Sequence, residues 1–392
     1  MAALNYPRVL VTGANGFVAS YVVSELLEGG HSVVGTYRAS ENWEAKVAHL
    51  HTIAGGVEGG EDRLTLVAAD LLDAESMRAA MKGVDAVIHT ASPYTLNVAD
   101  PVEDLIRPAV EGTLNVLDAA RAEGISKFVL TSSMASVTDA PDKDHVYTQD
   151  DWNVKSNLKR NPYYASKAAA EKAAWTRLGL AQSMAIPELP TDGLIEIPDS
   201  VSVPEGADPI RLVSINPFLI AGPEFGPRVN TSNAVLRDLV DGKYPAVLDL
   251  TWSFVHVRDV ARAHVLAMES QDAEGRYLIA HNGVSMADVV AILREAYPNA
   301  GNLPSRNLSC KGGTFLTKAA SYFQDKGTGS YLRTNLGTKC TLDIEKVTTG
   351  LGLNLVTVRD IIIQTVEDMR VNGKLESELE PAVESTPAAT EE

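Results

Sequence analysis

Short apolar runs rich in β-branched residues recur along the first half of the chain, at Arg8–Thr12, Ser32–Tyr37, Leu64–Ala68, Ala86–Thr90 and Phe128–Thr131. Stretches of helical length separate them. The first of these carries Tyr21, Val22, Val23, Leu26 and Leu27 on a helical period. Strands alternating with helices predict an α/β fold, a doubly wound parallel sheet with helices on both faces. A further strand is expected at Arg211–Ile215. Sheets of this kind bind ligands beyond the carboxyl ends of their strands, so the chemistry is to be sought there.

The second half is less regular. Pro187–Pro209 holds five prolines and several acids with no helical period, which predicts a surface insertion. Ser285–Tyr297 has apolar residues at helical spacing, Ser285 as cap with Asp288 three residues on, and Pro298 as stop. Gly301–Lys339, rich in Gly, Ser and Thr, resists assignment, and no internal repeat is present. A chain of 392 residues is long enough for a main domain and a smaller lobe.

The net charge of −17 opposes nucleic-acid binding, which needs a basic face. Part of that acidity is local: Lys374–Glu392 carries six Glu against one Lys among Ser, Thr, Pro and Ala, the composition of a disordered, solvated tail. No apolar run approaches the roughly 18 residues of a membrane span. The start lacks the pattern of a secretory signal, so a cytoplasmic location is expected. Cys310 and Cys340 stand in no metal-ligand spacing, and neither a metal nor a disulfide is expected.

The first strand runs into Gly13-Ala14-Asn15-Gly16-Phe17-Val18-Ala19 and then a helix. Gly13 permits a tight turn, and Gly16 lets the backbone approach a pyrophosphate whose charge suits the amides of the helix start. The turn residues placed against a dinucleotide are Thr12, Gly13, Asn15, Gly16, Phe17 and Val18. NAD-binding proteins commonly set an acid at the end of the second strand, where it meets the ribose 2′-hydroxyl. Here that end reads Gly35-Thr36-Tyr37-Arg38, and Arg38 offers a planar cation for a 2′-phosphate, so NADP(H) is the expected cofactor.

Asn161-Pro162-Tyr163-Tyr164-Ala165-Ser166-Lys167 starts with an N-cap type residue and a proline, then turns to helix formers. Tyr163 lies one turn from Lys167, and Tyr164 is three residues away on roughly the same side. An ammonium beside a phenol favours the phenolate and brings its pKa toward a useful range. Phe128-Val129-Leu130-Thr131-Ser132-Ser133 sets a hydroxyl at the carboxyl edge of the sheet.

Val9–Arg38, Phe128–Ser133, Tyr163–Trp175, Asn216–Pro223 and Val255–Val265 together resemble the extended short-chain dehydrogenase/reductase family. The likeness is strongest to the branch of fungal and yeast NADPH-dependent aldehyde, methylglyoxal and ketone reductases and of dihydroflavonol reductases. It implies a Rossmann-type core over 1–180, remaining strands and a C-terminal substrate lobe over 210–372, and a tail over 373–392. The Y-x-x-x-K spacing of the family selects Tyr163 with Lys167, and its T-S-S run selects Ser133 for catalysis, leaving Ser132 to face the cofactor or cap the turn. The resemblance also sets Asp70 and Leu71 at the adenine, Thr90, Ala91 and Ser92 near a ribose, and Pro217 and Phe218 at the nicotinamide. His256 and Asp259 are implied to organise a helix start, and Asn115 to hold a water or backbone or simply to pack.

The expected activity is reduction of a small-molecule aldehyde or ketone, by a monomer or homodimer. Competing readings are a nucleotide-sugar epimerase or dehydratase, a hydroxysteroid-type dehydrogenase, and a regulator that binds NADP(H) without turnover. Arg38 and the reductase-like Tyr163–Trp175 favour net reduction, and retention of Ser133, Tyr163 and Lys167 disfavours the regulator.

Overall fold

A computed structural model describes residues 6–92, 98–197, 199, 204–226, 228–323 and 326–382. The principal sheet has seven parallel strands, β1 (Arg8–Thr12), β2 (Ser32–Tyr37), β3 (Leu64–Ala68), β4 (Ala86–His89), β5 (Lys127–Thr131), β6 (Arg211–Pro217) and β7 (Gly275–Ile279), in the order β7-β6-β5-β4-β1-β2-β3. The order reverses between β1 and β4, which pair with Val9 beside Ala86 and Val11 beside Ile88. At that switch point the two crossovers run in opposite directions and open a crevice beyond the strand ends. The expected Rossmann-type sheet is present.

Strand alternation sorts side chains between two layers. Val9, Val11, Ile88 and Val129 join one core with helix α1 (Phe17–Glu28) and the helix Val257–Glu269. Leu10, Val34, Val87 and Phe128 face the opposite layer, where the helices Arg107–Ala122 and Pro162–Arg177 pack together. Because both faces are covered, the strands read as near-continuous apolar runs. The exception is β7, whose sequence GRYLI carries Arg276 in its middle with 1% of its surface exposed. That charge hid the strand from the hydrophobic pattern.

The smaller lobe is built from short pieces. Leu219–Ala221 pairs in parallel with Phe254–His256, and Thr251–Trp252 pairs antiparallel with Val284–Ser285. The helices Thr231–Val240, Met286–Ala296 and Val358–Val371 close over them around Leu236, Trp252, Leu293, Ile361 and Met369. Met286–Ala296 starts as expected: Asp288 N–H donates to Ser285 Oγ at 3.1 Å, and Ser285 Oγ donates back to Asp288 Oδ2 at 2.6 Å. The unassigned stretch after Gly301 contains the helices Lys311–Ala320 and Lys326–Asn335.

Two expectations need correction. The insertion is not wholly superficial, since Leu189 and Thr191 are buried and Lys172 Nζ donates to Pro187 O at 2.8 Å. The tail, expected to be disordered from residue 373, is docked as far as Ala382. Leu379 is 6% exposed in the lobe core, Glu376 N–H and Ser377 N–H both donate to Asp241 Oδ1 at 3.0 Å, and Ala382 N–H donates to Ala296 O at 2.8 Å. Two leucines in an acidic stretch suffice to anchor it, and residues 383–392 lie outside the described residues. Among the described residues no helix is long and apolar enough to cross a membrane.

Candidate active site

A cleft of about 1500 Å³ lies over the carboxyl ends of the strands. Of the residues predicted from sequence, Gly13, Asn15, Gly16, Phe17, Val18, Arg38, Asp70, Leu71, Thr90, Ala91, Ser92, Ser133, Tyr163, Lys167, Pro217 and Phe218 all line it. Thr12 does not. It is fully buried beneath the cleft, where its Oγ1 accepts the N–H groups of Thr90 and Ala91, both at 3.1 Å. With those donors on its oxygen, the hydroxyl proton goes to Nδ1 of buried His89 at 2.7 Å, which fixes that ring as neutral with its proton on Nε2. Burial and the charge of Lys167 lower the His89 pKa to about 3, in keeping with this assignment.

The glycine turn is shaped by close approach. Gly13 has φ +61°, and a Cβ there would lie 2.9 Å from the Ala91 Cβ. Its N–H donates to Thr36 Oγ1 at 3.1 Å, and Ala14 N–H donates to Thr36 O at 2.8 Å, which pins the turn to the end of β2. Helix α1 starts after Gly16 with no side-chain cap, so its first amides face the cleft end unsupported by a side chain, the arrangement that suits a phosphate.

Arg38, Ser40 and Lys46 line one end of the cleft, with Lys46 Nζ donating to Ser40 Oγ at 2.8 Å. Tyr37 stacks on Trp43 beside them at 4.7 Å. Ser40 and Lys46 were missed in the sequence; the signal was a second cation within one turn of the helix start that follows β2. Asp70 organises its own turn by accepting Leu72 N–H at 2.9 Å, and Asn115 Nδ2 donates to Leu71 O at 2.8 Å, holding the cleft wall through backbone.

Tyr163 and Lys167 project from the same helix, with Lys167 Nζ 5.5 Å from the centre of the Tyr163 ring. Burial lowers the Lys167 pKa to about 8. Tyr164 also lines the cleft, its ring edge-on to Tyr163 at 6.1 Å. Asn161 marks the helix start but makes no side-chain cap. It sits in the left-handed region at φ +49°, and its Nδ2 donates to Asp139 Oδ1 at 2.7 Å.

Both serines of the turn line the cleft, with different partners. Ser133 Oγ reaches the cleft and accepts Ala135 N–H at 3.1 Å, so Ser133 caps the turn. Ser132 turns back and donates to Glu171 Oε2 at 2.7 Å. Glu171 also accepts Ser136 Oγ at 2.6 Å, Asn216 Nδ2 at 3.0 Å and Arg276 Nε at 2.8 Å, with both charged side chains fully enclosed. Arg276 in turn stacks over Trp152 at 4.0 Å and donates to Gln149 O at 2.9 Å. One buried ion pair thus ties the Tyr163 helix, the Ser133 turn, the β6 end before Pro217 and strand β7. Burial alone would raise the Glu171 pKa, but the charge and hydrogen bonds of Arg276 outweigh it and hold it at about 2. In the sequence Glu171 stands within the run Tyr163–Trp175 with no role of its own, and Arg276 carries no signal.

His256 and Asp259 stand in the structural roles expected of them. His256 Nδ1 accepts Arg258 N–H at 3.1 Å at the start of its helix, and Asp259 Oδ2 accepts Val356 N–H at 2.9 Å.

Residues 9–186 match the model of the NAD dependent epimerase/dehydratase family. Cinnamoyl-CoA reductase 1 of Arabidopsis thaliana is 36% identical over 294 residues, spanning 74% of this chain and 75% of that one. The chain belongs to the extended short-chain dehydrogenase/reductase family. Cinnamoyl-CoA reductase 1 of Petunia hybrida is 37% identical over 76% of this chain and 80% of its own. Among solved structures, Candida albicans Gre2 in complex with NADPH aligns with TM-score 0.69 and 26% identity over 93% of this chain and 98% of that one. Yeast methylglyoxal/isovaleraldehyde reductase Gre2 with NADPH shares the fold, with TM-score 0.70 and 24% identity over 94% and 100%. The branch expected from sequence is represented among the solved structures by Gre2, while the two relatives are cinnamoyl-CoA reductases. The chain is an oxidoreductase of this family.

Proposed function

We propose that the protein is an NADP(H)-dependent carbonyl reductase that works through Ser133, Tyr163 and Lys167. The observation that carries this reading is the meeting of these three side chains with the glycine turn and Arg38 in one cleft. The residues present fit a 2′-phosphorylated dinucleotide. Gly13 leaves open a space that a Cβ would take up against Ala91, and Arg38 and Lys46 set two cations at the far end. NADPH bound there supplies the hydride.

Ser133 Oγ hydrogen-bonds the substrate carbonyl oxygen and holds it toward Tyr163. Tyr163 donates its phenolic proton to that oxygen as negative charge develops on it. Lys167, mostly protonated at neutral pH with its pKa near 8, favours the phenolate that remains and offers donors to a ribose hydroxyl. Pro217 and Phe218 shape the wall that selects a face of the nicotinamide ring. Val235, Tyr244 and Tyr331 give the substrate end an apolar and aromatic lining.

Loss of NADPH absorbance at 340 nm with purified protein and a panel of aldehydes, diketones and aryl ketones tests the reading. Saturable NADPH oxidation that is slower with NADH supports it, and no turnover across the panel overturns it. A thioester carbonyl is the second reading, supported by the 36–37% identity to cinnamoyl-CoA reductases, and a thioester arm in the panel separates the two.

A further inference from the structure

A second cavity, of about 510 Å³, adjoins the cleft between the loop before the Tyr163 helix and the two helices after Gly301. Among the described residues that line it, four of seven are cations, Lys159, Arg160, Lys318 and Arg333, and none is an acid. The chain carries 51 acidic against 34 basic residues, so a purely cationic hollow runs against its overall charge. Arg160 is balanced by Asp139 at 2.9 Å. Among the described residues, the other three cations have no ion-pair partner.

The backbone that carries Lys159 and Arg160, and the Arg333 side chain, are held in place before any ligand arrives. Asn157 Oδ1 accepts the N–H groups of Lys159 and Arg160, both at 3.0 Å, and Asn157 N–H donates to Arg160 O at 2.8 Å, which makes the loop a closed turn. The Arg333 guanidinium lies over the Tyr322 ring at 4.7 Å, and its Nη1 donates to Ser321 O at 3.1 Å. Its Nε and Nη2 donors have no protein acceptor among the described residues. Fixing the Arg333 guanidinium and the Lys159 backbone beforehand removes part of the entropy cost of binding an anion.

Two residues connect this hollow to the chemistry. Lys159 lines both cavities and stands four residues before Tyr163, and Tyr331 lines the cleft from the helix that carries Arg333. We infer that the basic cavity seats a phosphate-class dianion at the outer end of a substrate whose carbonyl lies at Tyr163. The excess of three cations over acids suits a dianion, and a guanidinium edge matches phosphate oxygens. The inference rests on the reductase reading and adds to it a class of substrate, carbonyl compounds with a phosphorylated tail.

The test uses full-length protein saturated with NADP⁺, so that the cofactor's own phosphate contacts are already made. Pyrophosphate titrated by calorimetry is expected to bind saturably, and Lys318→Glu and Arg333→Glu each to weaken it about 10- to 100-fold, as for loss of a charge-assisted contact. In turnover, glyceraldehyde 3-phosphate is expected to have kcat/KM about 10-fold or more above glyceraldehyde. Lys318→Glu should abolish that preference while leaving glyceraldehyde reduction unchanged. Pyrophosphate binding without any preference for the phosphorylated aldehyde means a free-anion site and overturns the assignment to substrate. Absent binding, or equal binding by wild type and both variants, overturns the seat itself. If neither aldehyde is reduced, the assignment to substrate falls, the carbonyl panel decides the reductase reading and the calorimetric arm still decides the seat. Should Arg333→Glu fail to fold, Lys318→Glu carries the test alone.

Discussion

The dinucleotide half and the C-terminal lobe of this molecule solve the same problem, placing side chains around a cleft, by different routes. In the first, cleft residues come in short runs, Gly13 with 15–19, then 36–38, 69–72 and 90–92, each at the end of a strand whose neighbours are fixed by parallel pairing. In the second, the wall is made by single residues such as Val235, Tyr244 and Tyr331, and the core behind them draws on segments from Leu219 to Leu379. A run at a strand end is a local motif. A wall assembled from scattered positions has no local signature, and its shape depends on how the pieces settle together.

If the strand-end half carries the chemistry, the sharpest break in the comparison is Tyr163→Phe. It keeps the ring and deletes the proton, and turnover measured at saturating substrate is expected to fall about 10²- to 10⁴-fold with NADPH affinity little changed. Tyr164→Phe, at a neighbouring position on the same cleft wall, is expected to retain most activity. The reverse result would reassign the proton donor.

Next in size is Glu171→Ala, which strands the enclosed Arg276 charge. Breaking a buried pair from one side typically costs about 3–5 kcal/mol, to be read from denaturant unfolding. The same carboxylate sets an acid limit. Its folded pKa, near 2, lies below its unfolded value near 4.5, so its contribution to stability is complete above about pH 4.5 and is lost as pH falls toward 2. The variant should show a shallower acid transition across that window, and an unchanged profile would show that the pair does not govern it.

Arg38→Glu tests the motif half at its other end. Removing one charge-assisted contact and adding repulsion is expected to weaken NADPH about 10- to 100-fold relative to NADH in fluorescence titrations. Unchanged preference would move the phosphate to Lys46 alone.

The smallest effect on activity belongs to the lobe. Truncation after Asn372 removes Leu375 and the buried Leu379, and a loss of about 1.5–3 kcal/mol per fully buried leucine gives the scale of the destabilisation expected in unfolding. Turnover per folded molecule should change little. A truncated chain as stable as the parent would show that the docked segment adds nothing.

These contrasts explain what was legible in the sequence. Six of the seven strands stood out because a sheet covered on both faces demands uninterrupted apolar runs, and β7 was lost because Arg276 broke the run. The glycine turn, Arg38 and Lys167 were readable from spacing once a strand or helix fixed their direction, whereas the choice of Tyr163 over Tyr164 came only through the Y-x-x-x-K pattern of the family it resembles. Thr12 was placed one layer too high, since adjacency in sequence to Gly13 says nothing of which side of the sheet end a side chain takes. The Glu171 network could not be seen, because its members are separated by as many as 140 positions and meet only through the sheet. The tail misled by composition: an acidic average concealed two leucines at positions that reach the lobe core.

Arg276 lies on the last strand to join the sheet, whereas Ser133, Tyr163 and Lys167 all belong to the first half of the chain. A growing polypeptide therefore leaves the ribosome with all three side chains proposed for catalysis long before the partner of Glu171 has been synthesised. Until residue 276 emerges and pairs, the carboxylate beneath the serine turn has no counter-charge, and the helix, the turn and the β6 end are not yet clamped to one another. The proposed catalytic groups are made early and are clamped late, so their final arrangement arrives only when nearly three quarters of the protein exists.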